Sequence, residues 1–147
     1  MEVVVKAFKE LSIEELFEIY YWRTAIFVVE QNCPYQDIDE CDKKAYHVYL
    51  KDEQGIQAYL RVIEPGAKFT EASLGRVISR RRRQGLGLQL VLKGIEVAQK
   101  KYHAHAIRIE AQVYAKGLYE KAGFTQVSDI FLEDNQPHIQ MLWKDNW

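Results

Sequence analysis

Ser73-Leu74-Gly75-Arg76-Val77-Ile78-Ser79-Arg80-Arg81-Arg82-Arg83-Gln84-Gly85-Leu86-Gly87 is the stretch that decides the fold. It reads as a strand, a basic loop with two closely spaced glycines, and the opening of a helix. Such a junction makes an anion site. The first turn of a helix leaves backbone N–H groups unpaired and directed outward. The helix dipole adds partial positive charge at the same end. Glycine lets the backbone approach a phosphate with no Cβ in the way, and nearby arginines add charge-assisted hydrogen bonds. Two other phosphate patterns fit worse. No Lys-Ser/Thr pair follows Gly87, as a P-loop requires, and the third glycine of a dinucleotide fingerprint is replaced by Leu90.

Working outward, residues 3–8 form a short β-branched run that predicts a strand. Ser12-Ile13-Glu14-Glu15 is a capping box. Leu16, Phe17, Tyr20, Tyr21, Thr24, Phe27 and Val28 follow it at helical spacing, in a helix expected to end before Pro34. An irregular acidic segment then runs to about Ala45. Residues 46–51 and 56–63 read as two strands joined by a turn at Asp52-Glu53-Gln54-Gly55. Leu86, Leu90, Val91, Gly94, Ile95 and Ala98 mark the helix that starts at the glycines. Strands are predicted over 106–111, 124–132 and 138–143, with a short helix over 115–121 that Gly123 caps. The order is β-α-β-β-β-α-β-α-β-β, an α/β class fold with helices packed on a mixed sheet.

A chain of 147 residues fits one domain, here 1–147, and can bury a core without staples. With 48% hydrophobic residues it has the apolar content of a globular protein. The formal net charge of -1 points to no polyanionic partner, so a nucleic-acid binder built on Arg80 to Arg83 is disfavoured. Two cysteines, Cys33 and Cys41, make no disulfide framework and no zinc-ligand set. No apolar run reaches the ~20 residues of a membrane span, and the first residues lack the features of a signal peptide. The expectation is a cytoplasmic protein with no metal and no membrane partner.

Arg82-x-x-Gly85-x-Gly87 resembles the pyrophosphate signature of the GNAT (Gcn5-related N-acetyltransferase) superfamily, with Val77 five residues before it as is usual there. Ala115-Lys116-Gly117-Leu118-Tyr119-Glu120-Lys121-Ala122-Gly123-Phe124 resembles a second segment of that family. Phe27 to Tyr35 with Asp39, Asp42 and His47, Gly75-Arg76-Val77, Ala111-Gln112, Glu133-Asp134 and Pro137-His138-Ile139-x-Met141 are similar to its ElaA-type branch. The resemblance covers nearly the whole chain.

The resemblance implies an N-acetyltransferase that uses acetyl-CoA as co-substrate and a primary amine as acceptor. In the family the fourth and fifth strands splay apart and the pantetheine arm lies in the gap. Carried over, the backbone at Arg76 and Val77 holds pantetheine. Arg82, Arg83, Gln84, Gly85, Leu86, Gly87 and Leu88 hold the pyrophosphate, and Arg80, Arg81 and Arg83 reach toward the nucleotide phosphates. Tyr119 matches the tyrosine near the thioester sulfur and is the expected general acid. Gln112 stands where many relatives have Asn. A homodimer follows by family analogy alone.

Some group must also accept the proton of an amine that is mostly protonated at pH 7. Glu110, Glu30, His47 and His138 are the candidates, with Glu110 and His138 carried forward. Plainer readings stand beside these. Tyr119 can be a half-buried helix residue, Glu110 a solvent-facing strand residue, and His47 and His138 structural. The segment from Asp37 to Asp42 reads first as a solvated loop, and otherwise as an acidic wall that attracts a cationic amine. The alternative for the whole chain is a non-catalytic acetyl-CoA-binding module.

Overall fold

The computed structural model describes residues 1–81 and 85–146. Two sheets organise it. In the first, β1 (Glu2–Ala7), β2 (Tyr46–Asp52), β3 (Gly55–Ile63) and β4 (Ser73–Ser79) lie in chain order, each antiparallel to the next. In the second, β5 (Ala106–Gln112) pairs antiparallel with β8 (Gln136–Lys144), whose other partners are β6 (Thr125–Gln126) and β7 (Phe131–Glu133). Three α-helices join them: α1 (Ile13–Arg23), α2 (Leu86–Tyr102) and α3 (Lys116–Lys121).

The predicted elements are present, with two differences. The strand expected over 124–132 is divided into β6 and β7. Between them the Ser128 hydroxyl accepts the backbone N–H of Gln140 at 2.8 Å, so a side chain replaces the ladder there. The helix expected to run toward Pro34 is α-helical only to Arg23 and continues as a π-helix over Thr24–Glu30. Its i→i−5 bonds run from Gln31 N to Ile26 O at 3.3 Å and from Cys33 N to Val28 O at 3.0 Å. Such wide turns favour functional sites because they redirect side chains.

Local signals explain the starts and stops. The Ser12 hydroxyl accepts from Glu15 N at 3.0 Å and the Glu15 carboxylate accepts from Ser12 N at 2.8 Å, which is the predicted capping box. Gly123 adopts φ 100° after α3, where Phe124 N reaches back to Tyr119 O at 3.0 Å.

Alternation along the strands gives the first sheet two buried faces. Val48, Leu50, Ala58, Leu60, Val62 and Leu74 pack with α2 and with Ile107, Ile109 and Ala111 of β5. Tyr49, Tyr59 and Ile78 pack on the opposite face with Ile19 of α1 and Ile26 and Phe27 of the π-helix. Leu74 and Ile78 are four apart yet face opposite ways, which the two-residue period of a strand forbids. The register accounts for it. Tyr59 pairs with Ile78 and Arg61 with Gly75, so β4 carries one residue more than β3 across this interval. The bulge contains Arg76, at φ 53°. A bulge bends its strand and strengthens the local twist.

That bend separates the sheets. β4 and β5 run parallel and meet at a bridge between Ala72 and Ile107, supported by Arg108 N to Ala72 O at 3.0 Å. Beyond that bridge the described residues place them in different sheets, so a gap opens toward the C-terminal ends of both strands. Among the described residues no helix is long and apolar enough to cross a membrane.

Candidate functional site

One wall of the gap is the bulged part of β4. Gly75, Arg76 and Val77 are half-buried, in a strand otherwise buried at Ser73, Leu74 and Ile78. The bulge leaves a residue outside the ladder with β3. Chain direction then leads from β4 to the N-terminus of α2. Gly85 caps that helix at φ 74°, a left-handed conformation that favours glycine. Intrahelical bonding begins with Gln89 N to Gly85 O at 3.1 Å. The amides of Leu86, Gly87 and Leu88 therefore belong to the open first turn. A Cβ on Gly87 would lie 3.4 Å from the Leu118 side chain, so this turn packs directly on α3. Arg82, Arg83 and Gln84 lie outside the described residues.

The described arginines of the basic run contact the β2–β3 hairpin and the Trp22 ring. Arg80 donates to Ile56 O at 2.7 Å and lies over the Trp22 ring at 3.7 Å. Arg81 pairs with Asp52 at 2.9 Å. Both fasten the end of β4 to the β2–β3 hairpin.

Tyr119 stands on α3 beside this helix terminus. Its ring is 8% exposed and meets Phe124 edge-on at 5.8 Å. The described residues offer its hydroxyl no hydrogen-bond partner. Burial, and next the neighbouring Tyr114, push the phenol well above the usual tyrosine range. Tyr119 is thus a neutral phenol across the physiological range, able to donate a proton but not to serve as a base.

The other candidates lie on the face of β5 turned away from Ile107 and Ile109. Gln112 is opposite His138 and Glu110 opposite Gln140 in the β5–β8 ladder. Gln112 exchanges amide hydrogen bonds with Gln31, just past the π-helix, at 3.0 and 3.4 Å. Gln31 also donates to the Tyr114 hydroxyl at 3.4 Å. Glu110 forms an ion pair with Lys68 at 3.3 Å. His138 lies 3.7 Å from Glu133, and Cys33 Sγ donates to Asp134 O at 3.3 Å. Burial first, and then the charge of Glu110, raises the Glu133 carboxyl above its ordinary value. Glu30 ends the π-helix at an exposed position next to Gln31.

His47 is not part of this group. It is fully buried, with Nδ1 2.7 Å from the Tyr59 hydroxyl and Nε2 2.9 Å from Asp42 O, and burial lowers its pKa. The acidic segment is neither a solvated loop nor a free acidic wall. Asp37 and Asp42 are buried and ion-paired to Arg23 at 3.1 and 2.6 Å. Arg61 pairs with Asp39 at 2.5 Å and with Asp42 at 2.9 Å. Arg76 reaches Asp37 at 2.9 Å and Asp39 at 3.3 Å, so the bulge is tied to this segment by its own side chain. With three arginines on three aspartates, little negative charge is left to draw an amine.

Residues that sequence reasoning did not place at the site are Gln31, Lys68, Tyr114 and Glu133. Gln31 and Glu133 sit within the stretches that carry the ElaA resemblance, which is the signal that could have found them. Lys68 and Tyr114 carry no such mark. Among the described residues no group of three His, Cys, Asp or Glu side chains could hold a metal ion.

Comparison with known proteins gives this arrangement its class. A family profile described as "Acetyltransferase (GNAT) domain" matches residues 9–144. The chain therefore belongs to the GNAT acetyltransferase-domain family. Within that family it is ElaA-like. It is 34% identical to Protein ElaA of Escherichia coli (strain K12) over 90% of this chain and 89% of the relative. The crystal structure of E. coli ElaA superposes with a TM-score of 0.90, at 32% identity, covering 97% of this chain and 99% of that one. An acyl-CoA N-acyltransferase from Pseudomonas aeruginosa gives the same TM-score of 0.90, identity of 32% and coverage of 97% and 99%. A UPF0039 protein of Schizosaccharomyces pombe is 38% identical over 96% of this chain and 95% of its own length.

Proposed function

We propose that this chain, as one domain, is an N-acetyltransferase that moves an acetyl group from acetyl-CoA to a primary amine. Family membership supports the coarser reading, an acyl-CoA-dependent acyltransferase. The observation that carries the finer one is the gap between β4 and β5. Beside it stand a bulged strand, a glycine-capped helix terminus and, on the helix α3 that packs against that terminus, a neutral phenol.

The residues present suit an acyl-CoA. Backbone at Arg76 and Val77, beside the bulge, offers peptide groups to an extended amide-containing arm. The first-turn amides of Leu86, Gly87 and Leu88, with Gly85 keeping the approach clear, suit a pyrophosphate. Bound there, acetyl-CoA supplies the activated acyl carbon and a thiol leaving group. Tyr119 then protonates the departing sulfur. Gln112 and Gln31, locked to each other, hold the wall along which the amine enters, and the proton acceptor belongs to the face of Glu110 and His138.

Protons balance as follows. One proton of the ammonium passes to the acceptor group, and the nitrogen lone pair forms the C–N bond as the C–S bond breaks. The sulfur takes the phenolic proton of Tyr119, and the second nitrogen proton restores the phenol by way of solvent. One proton is released in all. The test is thiol release from acetyl-CoA with a panel of primary amines. Amine-dependent release with a matching acetylated product supports the reading. Binding of acetyl-CoA without turnover of any amine supports a non-catalytic binding module in its place.

A further inference from the structure

We infer that the outer edge of β1 is a self-association surface, on which a second copy of this chain adds its own β1 antiparallel about a two-fold axis at Val4. This stands apart from the acyltransfer reading. β1 is an edge strand: among the described residues it pairs with β2 alone. In an antiparallel strand every second residue turns its N–H and C=O to the same side, so half of these 6 residues direct theirs away from β2. Such a row is a template for another strand. The devices that usually blunt an edge are missing from its centre. Residues 2–7 contain no proline, and Val3-Val4-Val5 is β-branched throughout. The β1–β2 register also runs unbroken, where those of β2–β3 and β3–β4 shift.

The occupant follows from Glu2-Val3-Val4-Val5-Lys6, which is complementary to its own reverse. With Val4 on the axis, Val4 meets Val4, Val3 meets Val5, and Glu2 meets Lys6 of the second copy. Directly opposed residues lie on the same face of the sheet, so valine packs on valine and carboxylate meets ammonium. The two-fold axis repeats the Val3–Val5 and Glu2–Lys6 pairs and closes the assembly at two copies. A shift of one residue sets Glu2 against Val5 or Ala7 and loses both ion pairs, so charge selects the register.

The side chains are already placed for this. Glu2, Val4 and Lys6 share the face that carries α1, where Val4 packs with Ile19 and Lys6 reaches Glu15. Val3 and Val5 share the opposite face, where Val5 packs on the α2 core. The Glu2 side chain is 67% exposed and lies 3.8 Å from Lys51. Lys6 donates to the two carboxylate oxygens of Glu15 at 3.0 and 2.9 Å. An ammonium has three N–H donors, so one remains for a further carboxylate. On pairing, Lys51 and Glu2 of one copy meet Lys6 and Glu15 of the other in a row of alternating sign. Networks of this kind contribute more than isolated surface pairs. Val3, exposed in the single chain, is covered by Val5 of the second copy.

Sedimentation velocity of the full chain across the micromolar range is expected to show a reversible monomer–dimer equilibrium. Glu2→Lys sets like charges against each other and is expected to raise the dimer dissociation constant roughly tenfold or more. Lys6→Glu does the same with the opposite sign. Mixed together, the two variants are expected to associate with each other as the unmodified chain does with itself. Lys6→Glu also sets a carboxylate beside Glu15, so hydrogen exchange supplies a readout that needs Glu2→Lys alone. Backbone amides of β1 are expected to exchange more slowly as protein concentration rises, and to lose most of that dependence in Glu2→Lys. A chain that sediments as a monomer up to submillimolar concentration overturns the inference. So does a dimer that Glu2→Lys leaves intact, or one whose β1 amides exchange alike at every concentration. Folded variants that fail to associate on mixing overturn the register at Val4.

Discussion

Tyr119 presents one polar atom above a ring sunk in the α2–α3 core. With the phenol held neutral by burial, the proposed role of the hydroxyl is to protonate sulfur. Tyr119→Phe keeps the ring and its edge-on contact with Phe124. It is expected to leave acetyl-CoA affinity unchanged and to lower kcat by roughly 100-fold, read by thiol release. Unchanged turnover would remove Tyr119 from the mechanism. The residue was legible in the sequence because it sits inside a contiguous motif. Glu133 was legible only as half of an acidic pair, because its meaning depends on a hairpin register and on His138 five residues later. The partners of Arg80 and Arg81 were hidden for a related reason. A run of like charges shows nothing of the carbonyls, carboxylates and indole that the fold brings within range.

At the scale of elements, the network of Arg23, Arg61 and Arg76 with Asp37, Asp39 and Asp42 ties α1, β3, the β4 bulge and the segment 37–42 together. Asp42 touches both Arg23 and Arg61, so its loss takes one of two carboxylate partners from each of two buried guanidinium groups. Asp42→Asn is expected to cost about 3 kcal/mol or more in chemical denaturation. A loss under ~1 kcal/mol would mean that solvent already screens the network.

The same network shapes the response to acid. Burial opposes the charge on Asp39 and Asp42, but hydrogen bonds and charges from Arg61 and Arg23 outweigh it and hold both below their ordinary values. Burial likewise opposes Glu15, yet bonds from Ser12, Tyr49 and Lys6 bring it to about 2. Carboxyls lowered in the folded state bind fewer protons than the unfolded chain, so stability is lost as pH falls below about 4. His47, lowered by burial, adds an earlier loss, because the unfolded chain takes up its proton from about pH 6.5 downward. Melting temperature against pH should therefore decline in two stages, and in His47→Gln the first stage should disappear. None of this was visible in the sequence, where three aspartates between polar residues resemble a solvated loop. Their partners Arg23, Arg61 and Arg76 are between 14 and 39 residues away in the bonds that matter.

For the whole molecule, strand order and helix placement were readable because local signals agree: a capping box before α1, period-two alternation, and glycine at the start of α2 and just past the end of α3. The splaying of β4 from β5 was expected from family resemblance, but the separation of the expected mixed sheet into two antiparallel sheets, and its cause, were not. One extra residue in β4 appears only when the register with β3 is known, and a single sequence does not display register. The π-helix escaped notice likewise, since apolar spacing over Thr24–Glu30 reads equally well as α-helix. The first of these irregularities bends β4, and the second leads into Gln31, which bonds Gln112 of β5.

The gap between β4 and β5, with the Gly85 cap, is expected to bind an acyl-CoA. Calorimetric titration with acetyl-CoA tests it most directly. Micromolar binding is expected, and Gly85→Glu is expected to weaken it sharply, because a side chain and a negative charge would then stand where the backbone must meet a phosphate at φ 74°. No binding by the unmodified chain, or equal binding by Gly85→Glu, would contradict it.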